Sequence, residues 1–167
     1  MTAVYDFLPD ALLAKVANLD DFRAILVFDK WVANADGRQC VYYRARVRRG
    51  QEEARPSFVA RMIDHGFAFN GPHWDFADSP FQGLYPRRIV YEAVRSLDDF
   101  QPWLDRVVHF PEEVMDKAWK CIPPNWVEAD EDALASLLER LYDRRRRVPD
   151  LIAACRSARS NPFVNWG

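Results

Sequence analysis

Between Phe22 and Ala33 the chain is apolar almost all round, with Phe22, Ala24, Ile25, Leu26, Val27, Phe28, Trp31, Val32 and Ala33. That pattern predicts a buried central helix, since a surface helix keeps a polar face. Asn18 is a good residue to cap it, and Asp20 and Asp21 fall in its first turn, where carboxylates oppose the positive dipole end. Asp29 and Lys30 interrupt the apolar run and are expected to form a solvated strip. Ahead of it, Pro9 suits the first position of a short helix over Asp10–Val16, with Leu12, Leu13 and Val16 on one side.

After Gln39 the period changes from helical to two. Val41, Tyr43, Ala45 and Val47 alternate with Tyr42, Arg44, Arg46 and Arg48, which predicts a half-buried strand over 40–48 with the first set facing inward. Phe58–Ile63 returns as its antiparallel partner across Gly50 and Gln51-Glu52-Glu53. From Asp64 to Pro86 periodicity lapses and Gly, Pro, His and Trp accumulate. A loop of that length inside a domain tends to be functional, and Phe67, Phe69, Trp74, Phe76, Phe81 and Tyr85 are expected to pin it to the core. Helical segments follow near Arg88–Arg95, Asp98–Val108, Pro111–Lys120, Asp130–Arg146 and Pro149–Ser160, with breaks at Ser96, Phe110-Pro111 and Pro123-Pro124. Leu134, Leu137, Leu138, Leu141 and Tyr142 mark one helix face. Arg144 to Arg147 ends that helix, where cations favour the negative dipole end. The fold class expected is mainly α with a small antiparallel β-hairpin.

A chain of 167 residues with 49% hydrophobic and 14% aromatic content can bury a good core, so one domain over 1–167 is expected. A net charge of −2 gives no global attraction to nucleic acid or to an anionic membrane, and neither is expected as a partner. Cys40, Cys121 and Cys155 are odd in number and lack metal-ligand spacing, which suits a reducing cytoplasm. No run approaches the roughly twenty apolar residues of a membrane span, and the first residues do not read as a signal peptide.

Candidate chemistry narrows by elimination. His65, His73 and His109 do not pair at zinc-ligand spacing. No nucleophile elbow and no Gly-rich phosphate loop is present. Cys40, first in its strand, reads as a small buried hydrophobe. What remains is Asp36 and Asp64, each at the mouth of an apolar element and each followed by a loop. Such a pair suits a site that holds a phosphoryl group and its metal. The plainer alternatives are a loop carboxylate bracing backbone amides at Asp36, and a turn at Asp64-His65-Gly66 with Gly66 in a positive-φ conformation.

Asn34-Ala35-Asp36-Gly37-Arg38-Gln39 behind Phe28-Asp29-Lys30-Trp31-Val32-Ala33 resembles the catalytic loop of HipA-like kinases, which have the protein-kinase fold. Met62-Ile63-Asp64-His65-Gly66 resembles their metal-binding segment. Tyr5-Asp6-Phe7-Leu8-Pro9, Asp78-Ser79-Pro80-Phe81-Gln82-Gly83-Leu84-Tyr85 and Ser160-Asn161-Pro162-Phe163-Val164-Asn165-Trp166 extend the likeness, to a bacterial subfamily, over nearly the whole chain. The resemblance implies a protein-kinase-like C-lobe. It implies Asp36 as the catalytic carboxylate that orients or deprotonates an acceptor hydroxyl, Asp64 as the Mg²⁺ ligand against the phosphates of ATP, and Arg38 and Gln39 as nearby donors to the cofactor.

Two departures qualify that implication. The position where a kinase catalytic loop carries a metal-binding Asn is Val41 here, so at most one metal is well held. The residues before Phe22 contain no strand lysine and no β-rich nucleotide lobe, which leaves the expectation of a C-lobe inert by itself. An N-lobe, a partner protein or self-association would then cover an exposed apolar patch beside the two aspartates. A helical interaction module that kept a kinase scaffold is the competing expectation.

Overall fold

Helix α2 (Asp21–Trp31) is the axis of the molecule in a computed structural model that describes residues 3–48, 50, 51, 53–157 and 160–167. Phe22, Leu26 and Val27 are fully enclosed, and only Phe28 of its large apolar residues surfaces, at 37% exposure. Aromatic contacts fix its two ends. Phe22 meets Tyr85 with ring centroids 4.8 Å apart, Trp31 meets Phe110 at 4.8 Å, and the Trp31 indole donates to the Leu141 carbonyl at 2.8 Å.

Strand β1 (Val4–Tyr5) precedes the short helix α1 (Asp10–Leu13), for which Pro9 stands just outside the first turn. Strands β2 (Gln39–Val47) and β3 (Arg55–Ile63) form the expected hairpin, in register Cys40–Met62 and Tyr42–Ala60. The sheet is antiparallel in the order β1-β2-β3. Two residues of β1 are too few to leave an alternating pattern, so the third strand is not visible in the sequence.

The facing of β2 departs from expectation at its first residues. Cys40 and Tyr42 are the buried residues, with Tyr42 hydrogen-bonded to the Tyr85 hydroxyl at 2.7 Å. Val41, Tyr43, Ala45 and Val47 lie on the outer, half-exposed face. The strand outruns the core: its inward side begins as Cys40 and Tyr42 and continues into solvent as Arg44 and Arg46. Arg44, Arg46 and Arg48 are exposed as their pattern suggests, and what alternation misses is that the core covers Cys40 and Tyr42 on the same side. Arg44 stacks over the Phe58 ring, 5.1 Å from its centroid. Asn18 likewise does not cap α2. Its side-chain amide spans both backbone groups of Ala60, donating to the carbonyl at 2.8 Å and accepting from the N–H at 2.8 Å, which closes that part of the β3 edge.

The rest of the helical half breaks into α3 (Trp103–Val108), α4 (Glu112–Lys120), α5 (Glu131–Arg144) and α6 (Val148–Ala154), with 3-10 turns between α4 and α5 and between α5 and α6. Two of the expected helices are shorter than their pattern. Arg88–Tyr91 and Leu97–Phe100 are single 3-10 turns. Ser96 and Asp99 form a reciprocal capping box on the second, and Gln101, ahead of Pro102, is held extended, which stops the helix. The end of the segment expected to reach Ser160 includes positions 158 and 159, outside the described residues. Arg144 and Arg145 are buried rather than solvated at the helix end. Among the described residues there are six helices and a small three-stranded sheet, and no helix is long and apolar enough to cross a membrane.

Candidate functional site

The loop from Val32 to Arg38 leaves α2 and is fastened on two sides. On one side Ala35 N–H donates to Phe67 O at 3.0 Å, while Phe69 and Asn70 donate back to Val32 and Ala33 at 2.7 and 3.1 Å. On the other, Gly83 N–H donates to Asp36 O at 2.9 Å and Arg38 N–H to Leu84 O at 3.0 Å. Gly83 has φ +69°, and a Cβ there would collide with the Asp29 side chain. Only glycine lets that strand of loop close on α2.

Asp29 is the floor of the site. Its carboxylate takes a two-pronged ion pair from Arg38, through Nε to Oδ2 at 2.8 Å and through Nη2 to Oδ1, with both side chains fully enclosed. Asn34 Nδ2 adds a third donor at 3.1 Å. Arg38 Nη1 then reaches the carbonyls of Ile63 and Asp64 at 2.8 and 3.0 Å. Burial pushes the Asp29 carboxyl up, against the opposing pull of Arg38 and Asn34.

Asp36 and Asp64 sit above this floor, exposed. Each has one carboxylate oxygen held by a backbone amide of its own loop, Gly37 N–H on Asp36 Oδ1 at 2.7 Å and Gly66 N–H on Asp64 Oδ1 at 3.2 Å. The other oxygen of each accepts from the same donor, the Gln39 side-chain amide, at 3.3 Å for Asp36 and 3.2 Å for Asp64. Two residues far apart in sequence are thus brought to one point. The left-handed turn belongs to Asp64 itself, at φ 59°, and not to Gly66.

Placed against expectation, Asp36, Asp64 and Gln39 come together at the surface, whereas Arg38 does not join them. It is 2% exposed and its three guanidinium nitrogens are committed to Asp29 and to two carbonyls, so it offers no donor to a phosphate. Asp29 and Lys30 do not form a solvated strip either: they are 0% and 1% exposed. Lys30 donates to the carbonyls of Ser79 and Pro80 at 3.0 and 3.1 Å, and burial pulls its pKa down. A charge inside an otherwise apolar helix must be paired or hydrogen-bonded. That rule, applied to the sequence, would have pointed to Asp29 as an organising residue.

Ile63, Phe67 and Phe81, in the segments that flank the carboxylates, are 37%, 49% and 53% exposed. A cavity of about 420 Å³ lies elsewhere, between Pro72-His73-Trp74 and the α5 residues Ser136 and Arg140. Among the described residues no group of three His, Cys, Asp or Glu side chains can hold a metal by itself. Mg²⁺ commonly takes only one or two carboxylates and completes its shell with water and phosphate oxygens, so the exposed Asp64 carboxylate fits that use. Compared with models of known protein families, with curated proteins and with solved structures, the chain matches none.

Proposed function

We propose that this chain is the C-terminal lobe of a HipA-like, ATP-dependent kinase that transfers a phosphoryl group to a protein or small-molecule hydroxyl and is inactive by itself. The observation that carries the reading is the convergence of Asp36 and Asp64 on the Gln39 amide. Asp36 is the group that would accept a hydrogen bond from the acceptor hydroxyl and draw its proton away. Asp64 would hold Mg²⁺, which when bound neutralises charge on the transferring phosphates. Gln39, the donor between them, keeps the two like charges from splaying apart and is the group a cation would displace. Arg38 has no part in binding nucleotide in this reading.

The exposure of Ile63, Phe67 and Phe81, in the segments that flank the two aspartates, supports a covering lobe or partner seated over the site, since exposed apolar surface beside charged groups marks interfaces. Nucleotide contacts from one wall alone must overcome the whole cost of association. The isolated chain is therefore expected to bind ATP·Mg²⁺ more weakly than about 1 mM, at most ~4 kcal/mol. Paramagnetic Mn²⁺ gives the test. It should broaden the NMR signals of Gly37, Gly66 and the Gln39 side chain in the wild type and leave them sharp in Asp64→Asn. Signals untouched by millimolar Mn²⁺ would remove the metal reading, and micromolar ATP binding to these residues alone would remove the half-kinase reading. A non-catalytic interaction module has one observation in its favour, namely that Val41, on the outer sheet face, offers no second cation ligand.

A further inference from the structure

We infer that Arg38 is a positioning residue: from inside the core, clamped to Asp29, it sets where Asp64 stands relative to Asp36. The inference rests on the reading of Asp36 and Asp64 as one working site. Backbone hydrogen bonds at Ala35–Phe67, Phe69–Val32 and Asn70–Ala33 tie the two loops beyond the carboxylates, while the carboxylates themselves meet at the Gln39 amide. Arg38 adds a buried tie at Asp64 itself. Its backbone follows Asp36 by two positions and is tied to Leu84, and its Nη1 grips the carbonyls of Ile63 and Asp64. The residue it grips is in the left-handed conformation at φ 59°, which Asp tolerates better than most non-glycine residues and which the two carbonyl contacts of Arg38 help to hold.

The clamp has a direction as well as a place. A guanidinium is planar, so fixing Nε and Nη2 on the two Asp29 oxygens dictates where Nη1 points. Asp29 is fixed in turn by α2 and by Gly83, whose backbone lies against the Asp29 side chain. Helix α2, the Asp36 loop, the end of β3 and the Gly83–Leu84 segment thus share one buried plane of contacts. Lysine cannot reproduce this. Its single ammonium group can meet Asp29 or the two carbonyls, without the fork that joins them in a fixed orientation.

The test separates positioning from mere support of the fold. Asp29→Leu/Arg38→Met removes both charges together and so leaves no orphaned charge in the core, a replacement that proteins commonly tolerate. The double variant is expected to stay folded. Its Gln39 side-chain NH₂ resonances should move toward free-amide shifts and exchange faster, and its Mn²⁺ affinity should fall about tenfold or more, the scale seen when a group that orients a metal ligand is lost. Arg38→Lys, which keeps the charge, should show the same two changes and not rescue them. If either folded variant keeps the wild-type Gln39 signature and Mn²⁺ affinity, the inference is overturned. Should the double variant fail to fold, Arg38→Lys decides by the same readouts, and if that also unfolds, hydrogen exchange of the Gly37 and Gly66 amides in Asp29→Asn does. Retained protection there overturns the inference. A wild type that binds no Mn²⁺ would sink the metal reading of the site and leave the Gln39 signature to judge Arg38.

Discussion

Asp29 and Lys30 are neighbours on α2, both buried, and the chain satisfies them in opposite ways. Asp29 meets a full counter-charge in a planar, two-pronged pair. Lys30 donates to two loop carbonyls, Ser79 and Pro80, and Arg144 holds the Lys30 carbonyl at 2.9 Å. The first arrangement fixes orientation, because a fork on a carboxylate has one plane. The second fixes only distance, because an ammonium group can rotate among its acceptors. The difference matches what each supports. Above Asp29 stand the two candidate carboxylates, whose usefulness depends on angle. Above Lys30 runs the segment from Ala77 to Gln82, which needs only to be held down, and whose own turn is closed by Gln82 on Ser79 and Ala77 at 3.0 and 2.6 Å.

The sharpest way to break the comparison is to leave one half of the Asp29 pair unpartnered. Arg38→Ala or Asp29→Ala should each cost about 3–5 kcal/mol, the scale for an uncompensated buried charge, as read by urea unfolding. A loss under about 1 kcal/mol would mean that water reaches the pair and that it is not the floor of the site. Gly83→Ala comes next. The left-handed backbone alone is worth ~1–3 kcal/mol against a non-glycine residue, and the collision with Asp29 adds to it. Because the insult is delivered at Asp29, the same substitution should also disturb the Gln39 amide signals.

How much of this the sequence reveals depends on the range of the interaction. The α2 core, the hairpin and the α5 face follow from local periodicity, and they stand where the pattern puts them. Asp36 and Asp64 are recognisable as a pair because each follows an apolar element and opens a loop. The role of Arg38 is not legible locally: Asp29 lies nine positions earlier on a different element, and the carbonyls it grips lie beyond the hairpin. The burial of Cys40 and Tyr42 in β2 has a similar cause, since alternation gives two faces but not which one the core covers at each point. Arg144 and Arg145 read only as cations at a helix end until Asp78, Phe76 and Val108 are brought beside them by the intervening turns.

A milder test addresses Lys30. Lys30→Met keeps the apolar stem and removes both the buried charge and its two hydrogen bonds, so the terms oppose each other and the net change should stay within about 1–2 kcal/mol. Its pH dependence is more telling. Burial lowers the Lys30 pKa in the folded chain below its ordinary 10.5. Between those two values the unfolded chain carries a proton that the folded chain has released, so stability gains with rising pH. Below the folded value both states are protonated and the cost of the buried charge is fully present. Subtracting the Lys30→Met curve from the wild type should therefore show the wild type gaining as pH climbs toward 10.5. A flat difference would show that Lys30 is as well solvated when folded as when unfolded.

The smallest expected effect lies at Asp78, which takes Arg144 at 2.6 Å and Arg147 at 2.5 Å. Partial burial alone would raise its pKa, but the two guanidinium groups outweigh it and hold the carboxyl below its ordinary 3.8. A depressed carboxylate stabilises the fold above the unfolded value, and that contribution is lost as pH falls below 3.8 through the folded value. Asp29, pushed the other way by burial, begins to protonate at higher pH, so the two clamps should separate in an acid titration. With Arg147 and part of Asp78 in contact with solvent, the pairing is screened and worth less than about 1 kcal/mol. Asp78→Asn should therefore lower the urea midpoint slightly at pH 6, and the gap to the wild type should close as pH falls below 3.8. Molar salt should shrink the same gap at pH 6, because the Arg147 arm is open to counter-ions. A gap that persists unchanged however far the pH falls below 3.8 would assign the stabilising role of Asp78 to the shape of the 76–80 segment and not to its charge.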